Sequence, residues 1–94
     1  MGDIEARFQL GADVVTHHID EGLLVVDLDS GKTWKLNHVG AAVCRGLEQG
    51  ADLAHITTEL AGRYGMAIET VRRDVETLVD SLCKEGLVTP VRGG

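Results

Sequence analysis

The sequence predicts an α+β fold in which a three-stranded antiparallel sheet is followed by three helices. Short β-branched or alternating runs separated by turn residues occupy positions 14–36. Apolar residues then recur at helical spacing in three segments, each bounded by a capping residue or a glycine. The length of 94 residues suits one domain. We place that domain at residues 12–91, after a loosely ordered lead-in over residues 1–11.

The three predicted strands differ in length and in how they end. The first is the β-branched run Val14–Ile19, and the second, Leu23–Leu28, alternates two faces of a sheet. A turn at residues 20–22 joins them, and "DSGK" at residues 29–32 supplies the next turn. The third strand, Thr33–Leu36, is short and carries a lysine in its middle. Consecutive strands with tight turns predict a meander, in which this third strand lies at an edge.

Each predicted helix has an apolar stripe and end signals. Asn37 and Asp52 are good N-caps for the first and second helices, which Gly50 and Gly65 end. The third helix is the longest, at residues 68–84. The stripes are Val39, Ala42, Val43 and Leu47; then Leu53, Ile56, Leu60 and Tyr64; then Ile68, Val71, Val75, Leu78 and Leu82.

Charge and composition exclude several classes of partner. The formal net charge is −6, from 15 acidic and 9 basic residues, and a field of that sign repels phosphate backbones and anionic membranes. No apolar run approaches the roughly 20 residues that span a bilayer. The N-terminus has no basic region followed by an apolar one, so it is not a secretory signal. We therefore expect a cytoplasmic protein.

Catalytic and metal-binding patterns are absent from the sequence. Cys44 and Cys83 are far apart, lack metal-ligand spacing and fall on or beside apolar helix faces, where a free cysteine packs as a small hydrophobe. The four histidines have no nucleophile or carboxylate at a spacing that defines an active site. The glycines stand singly, so no phosphate-binding loop is formed. These observations predict a protein that is not an enzyme and needs no cofactor or metal.

Strands with three short helices make a winged-helix-like arrangement, which raises DNA binding as an alternative. A recognition helix needs basic or amide side chains outward and basic residues nearby for phosphates. The third helix has only one adjacent basic pair, Arg72 and Arg73, and acidic residues surround it. A DNA-binding regulator is therefore the less favoured interpretation.

The third helix and the third strand together suggest a groove for a peptide. Val79 and Cys83 extend the apolar zone of the helix past one shoulder, where Arg72 and Glu76 lie. Val79 could equally pack in the core, and Lys35 could simply protect a bare edge strand. An exposed edge beside such a shoulder also suits an incoming peptide strand, or the same edge of a second copy in a homodimer.

The stretches "LLVVDLDSGKTWKLNHVGAAV", "LAGRYG" and "VRRDVETLVDSLCKEGLV" resemble the D protein of pyrroloquinoline-quinone biosynthesis, PqqD. They are also similar to the leader-peptide recognition elements (RRE) of ribosomally made, modified peptides (RiPPs). The resemblance covers residues 14–88 and implies a winged-helix-like, PqqD-like peptide-recognition domain. It implies that a precursor's leader adds to the third strand as an antiparallel strand, against the third helix. By position it implies peptide-binding roles for Thr33, Trp34, Lys35, Leu36, Arg72, Val75, Glu76 and Val79.

Within this class, the chain looks most like the stand-alone recognition protein of lasso-peptide pathways. That resemblance implies two enzyme partners, a leader peptidase and an ATP-dependent macrocyclase. The alternative is a pyrroloquinoline-quinone-type peptide chaperone for a radical enzyme, but the second strand lacks the Tyr-Pro-Glu-like stretch usual there. Thr33 also departs from the pattern, because an aromatic residue is common at this position.

Overall fold

A computed structural model of the chain describes residues 7–91. It contains five strands and three helices, and the predicted fold class is confirmed. In chain order the elements are β1 (Phe8–Leu10), β2 (Val14–Ile19), β3 (Gly22–Asp27), β4 (Thr33–Leu36), α1 (His38–Glu48), α2 (Leu53–Tyr64), α3 (Ile68–Lys84) and β5 (Val88–Pro90).

The main sheet is the predicted antiparallel meander, in the order β2-β3-β4. The turn between β3 and β4 is fixed by Asp27, whose carboxylate accepts hydrogen bonds from the Asp29 N–H (3.1 Å) and the Ser30 hydroxyl (3.0 Å). The Asp27 carbonyl accepts from the Gly31 N–H at 2.7 Å, and Gly31 has the positive φ of 76° that the turn requires. This turn sets the register of β4 on β3.

A second, two-stranded sheet pairs β1 with β5 at the two ends of the described chain. The predicted loose lead-in over residues 1–11 therefore differs from the structure at Phe8–Leu10, whereas residues 1–6 lie outside the described part. A three-residue strand shows no readable alternation, and its partner Val88–Pro90 is far away in sequence, so no local pattern indicated this pairing. Leu87 and Val88 are fully buried, so the C-terminal segment completes the core.

The helices begin and end where the sequence predicted. Asn37 Oδ1 accepts a hydrogen bond from the Gly40 N–H (2.9 Å), Asp52 Oδ1 accepts one from the His55 N–H (2.8 Å), and Gly65 ends α2 in the left-handed conformation. Two predicted stripe members are instead exposed, Tyr64 at 43% and Ile68 at 51%. Both lie at helix ends beside the α2–α3 turn, where the stripe runs past the edge of the core.

All three helices contribute to one core on one face of the main sheet. From β3 the residues that face it are Leu23 and Val25, and from β4 the half-buried Trp34 and Leu36 pack against it. The buried apolar residues are Leu23, Val25, Ala41, Val43, Cys44, Leu47, Leu53, Ile56, Leu60, Val71, Val75, Val79, Leu82, Leu87 and Val88. One face of β4 is thus anchored in the core, whereas Thr33 and Lys35 on its other face are exposed.

Candidate peptide-binding edge

β4 is an edge strand whose second side pairs with no other strand within residues 7–91. The Asp27 N–H donates to the Lys32 carbonyl at 2.9 Å, so these two residues form a hydrogen-bonded pair. Hydrogen-bonded and non-hydrogen-bonded pairs alternate along an antiparallel ladder. The Val25–Trp34 pair is therefore hydrogen-bonded, and the Leu24–Lys35 pair is not. Trp34 thus bonds to β3, as does Leu36 by the same alternation. The N–H and C=O groups of Thr33 and Lys35 therefore point away from β3, towards the open edge.

The Lys35 side chain forms an ion pair across the end of the sheet. Its Nζ lies 2.6 Å from a carboxylate oxygen of Glu21 in the β2–β3 turn, and both side chains are largely exposed. The hydrogen bond from Lys35, with its charge, holds the pKa of the Glu21 carboxyl below its usual value. The lysine charge is thus held beside the β2–β3 turn.

An open groove of about 420 Å³ lies beside the C-terminal end of β4, between that strand, the start of α1 and the middle of α3. Leu36, Val39 and Leu78 give it a half-buried apolar floor, and Asp74 stands exposed on the α3 wall. We call this the β4–α3 groove; its lining residues are Lys35, Leu36, Asn37, Val39, Gly40, Asp74 and Leu78.

The α3 side of this groove differs from the sequence prediction. Val75 and Val79 are each only 2% exposed and belong to the core, so neither presents surface to a ligand. Arg72 and Glu76 line a separate shallow concavity with two further α3 residues. On a helix with 100° per residue, Asp74 and Leu78 lie on one shoulder of the buried stripe, opposite Arg72 and Glu76. The open wall is therefore formed by Asp74 and Leu78, and Val79 lies in the core.

The four strand residues of the predicted site, Thr33–Leu36, form β4. Lys35 and Leu36 line the groove, Thr33 offers main-chain groups, and Trp34 packs behind the edge against the core. Sequence reasoning missed Asn37, Val39, Gly40, Asp74 and Leu78 as groove residues. Leu78 was identified only as a stripe member, and its place at the margin of the stripe was the signal that could have indicated a wall.

No reactive centre is evident in the described part of the chain. Burial raises the pKa of the Cys44 thiol to about 11, with a smaller contribution from Glu48, so this cysteine is an uncharged core residue at neutral pH. Residues 7–91 contain no group of three histidine, cysteine or acidic side chains placed to hold a metal ion. The described helices also include none that is long and apolar enough to cross a membrane.

These features define a class: a winged-helix-like α+β domain with one open strand edge beside a helix-walled groove. The chain belongs to the PqqD family, whose model, described as coenzyme PQQ synthesis protein D, matches residues 22–88. The match spans the main sheet from β3 onward, all three helices and the first residue of β5. The resemblance to PqqD-like recognition elements predicted from the sequence is thereby confirmed.

Two solved structures are similar to the chain over almost their whole length. One is TbiB1 in complex with the TbiA(β) leader peptide, which is 25% identical, covers 90% of this chain and 99% of its own, and has a TM-score of 0.82. The other is lasso peptide synthetase B1 complexed with the leader peptide, which is 29% identical and has a TM-score of 0.84. The match covers 90% of this chain and 100% of that one. No curated protein sequence matches the chain.

Proposed function

We propose that this protein is a non-catalytic module that captures the leader segment of a ribosomally made precursor peptide by strand addition to β4. The observation that carries the proposal is the outward direction of the Thr33 and Lys35 main-chain groups, directly beside the β4–α3 groove. The two similar structures, both complexes with leader peptides, support it. Main-chain bonds give such a complex affinity, and pockets for alternate side chains give it specificity.

The groove assigns roles to the residues around the added strand. The Thr33 and Lys35 main chains pair with the leader, and Trp34 holds the strand against the core. One apolar leader side chain packs on Leu36, Val39 and Leu78, and Asp74 accepts a hydrogen bond from a donor beside it. Val75 and Val79 act from beneath, because their packing fixes the position of α3. Arg72 and Glu76 lie outside the β4–α3 groove, so we assign them no role in holding the leader.

The biological setting that we propose is lasso-peptide maturation in the cytoplasm. The module there binds the precursor and also a leader peptidase and an ATP-dependent macrocyclase, so it raises the local concentration of the precursor core at each enzyme. The similarity to lasso peptide synthetase B1 favours this setting. The PqqD family match favours a second candidate, a peptide chaperone for a radical enzyme in a quinone-cofactor pathway.

Fluorescence polarisation tests the proposal directly. The probes are labelled synthetic leader peptides from lasso-type precursors encoded beside this gene, a labelled pyrroloquinoline-quinone-type precursor, and labelled duplex DNA. We expect saturable binding of a lasso-type leader alone. Preference for the quinone-type peptide would transfer the protein to the second pathway, and binding of DNA alone would refute peptide recognition.

A matched pair of variants locates the binding site. Asp74→Arg reverses charge and adds bulk on the groove wall, whereas Asp80→Arg makes the same change at an exposed position of α3 outside the groove. We expect Asp74→Arg to weaken leader binding by about tenfold, equivalent to about 1.4 kcal/mol. Asp80→Arg should leave it within about twofold. Equal effects of the two variants would show that the leader does not lie in this groove.

A further inference from the structure

A second concavity, of about 330 Å³, lies between the β2–β3 hairpin and the outer surfaces of α1 and α2. Its rim carries four basic side chains and a tyrosine, above a floor that includes the small residues Gly22 and Ala41. We call it the basic concavity; its polar rim residues are His18, His38, Arg45, Arg63 and Tyr64.

The charge of this concavity contrasts with the rest of the molecule, since the chain as a whole has a net charge of −6. Arg63 donates to a carboxylate oxygen of Glu59 at 3.1 Å, one turn earlier on α2. Arg45, His18 and His38 are exposed and form no ion pair within residues 7–91. Two guanidinium groups that line one hollow favour carboxylates, and the two imidazoles beside them offer further N–H donors. A short acidic segment fits a hollow of about 330 Å³, whereas the extended phosphate backbone of a nucleic acid would also face the acidic remainder of the molecule.

The basic concavity adjoins the β4–α3 groove, and the N-terminus of α1 separates them. Asn37, Val39 and Gly40 line the groove, whereas His38 lines the concavity. Gly22 also belongs to the concavity, and its backbone packs so closely on β4 that an added Cβ would overlap the Leu36 carbonyl oxygen. A bound peptide that extends beyond the Leu36 end of β4 is therefore directed towards the edge of the concavity.

The direction of an added strand follows from β4 itself. An antiparallel partner can bond to both the N–H and the C=O of Lys35 through one residue, and likewise at Thr33, which makes full use of so short an edge. Such a partner runs from the Leu36 end to the Thr33 end. Its N-terminal extension then leaves towards the basic concavity, and its C-terminal continuation leaves at the β3–β4 turn.

We propose that the basic concavity binds an acidic segment of the same leader, located N-terminal to the residues that pair with β4. This inference rests on the proposed function and specifies the chemistry of its ligand. An added strand lies one spacing beyond β4, so three strand spacings of about 4.8 Å separate it from β2. About four to five extended residues span that distance. A processing enzyme is the less suitable occupant, because the part of the precursor that it must reach leaves at the opposite end of β4.

The test compares three labelled peptides by fluorescence polarisation at low salt. One is a leader trimmed to the pairing segment, and the others add an N-terminal Glu-rich or a matched Gln-rich extension across the preceding five positions. We expect the Glu-rich extension to strengthen binding by about three- to tenfold, as two or more partly exposed ion pairs allow. High salt should remove the gain through screening. The Gln-rich extension should give none.

Two protein variants with the same loss of charge identify the site. Arg45→Gln/Arg63→Gln should abolish the gain from the Glu-rich extension and leave the trimmed peptide's affinity unchanged. Arg72→Gln/Arg73→Gln, which alters α3 away from the concavity, should retain the gain. A gain that survives the first double variant, or that disappears only in the second, would overturn the inference.

The remaining outcomes separate this inference from the proposed function. If the trimmed peptide binds and the Glu-rich extension adds nothing, the inference fails and strand capture stands. If a C-terminal Glu-rich extension gives the gain instead, the strand runs parallel and the inference is wrong. If an unlinked Glu-rich peptide binds the concavity as tightly as the extended leader does, the concavity would be assigned to a separate protein partner. If no leader peptide binds at all, the proposed function and the inference fail together.

Discussion

Lys35→Pro tests whether a bound peptide pairs with the main chain of β4. The Lys35 N–H points away from β3, so proline removes a donor from the open edge and leaves the β3–β4 ladder intact. The carbonyl of the peptide that faced this N–H then loses its partner, which costs about 1–3 kcal/mol. At about 1.4 kcal/mol per factor of ten, leader affinity should fall by between about five- and a hundredfold.

Two controls separate this effect from other consequences of the change. Lys35→Ala also removes the ion pair with Glu21 but keeps the N–H, and exposed pairs of this kind contribute little, so its affinity should stay within about twofold of the wild type. Trp34→Pro removes a donor that faces β3 and should lower the melting temperature, whereas Lys35→Pro should not do so to a comparable degree. Fluorescence polarisation gives the affinities, and thermal unfolding by circular dichroism gives the stabilities. Equal affinities for Lys35→Pro and Lys35→Ala would refute main-chain pairing at this residue.

Three further predictions concern stability. Gly22→Ala should lower the melting temperature by several degrees, because the φ of 150° at Gly22 and its contact with the Leu36 carbonyl exclude a Cβ. The control Gly62→Ala, in open space within α2, should be neutral or stabilising by up to about 1 kcal/mol. Thr57→Val should raise the free energy of unfolding in urea by about 1 kcal/mol, because the buried Thr57 hydroxyl has no hydrogen-bond partner within the described residues; a loss of stability would contradict this. Burial raises the pKa of the Cys44 thiol to about 11 against an ordinary 9.0, so the thiol's contribution to folding stability is complete below pH 9 and falls by about 2 kcal/mol by pH 11. Urea unfolding at pH 8 and pH 10.5 should therefore show a steeper loss for the wild type than for Cys44→Ala, and equal losses would refute the burial argument.

The sequence predicted those elements whose signals are local. The bounds of β2, β4 and α3, the caps Asn37 and Asp52, and the turn at residues 29–32 depend on neighbouring residues, and the structure agrees with each. The β1–β5 pair could not be predicted in this way, because each strand has three residues and becomes stable only when the ends of the chain meet.

The α3 wall of the groove could not be predicted from helical periodicity alone. Periodicity identified the apolar stripe of α3, but a stripe does not show which of its shoulders lies beside the sheet edge. The sequence favours the shoulder with Val79 as the wall because that shoulder is more apolar, whereas Val79 is apolar because the core surrounds it. The open wall consists of the exposed Asp74 and, one turn later on the same face, the half-buried Leu78.

The short length of β4 and the net charge of the chain explain why the open edge need not lead to self-association. In the antiparallel register that uses every outward group of two β4 strands, Thr33 of each copy faces Lys35 of the other, which yields only about four main-chain bonds. The four-residue strand offers little more contact area, and two chains of net charge −6 repel each other. A stable protein interface buries about 1,200 Å² or more. In the proposed complex, a leader peptide obtains the same main-chain bonds and also fills the β4–α3 groove. The contacts beside the edge, more than the edge itself, would then select the leader over a second copy.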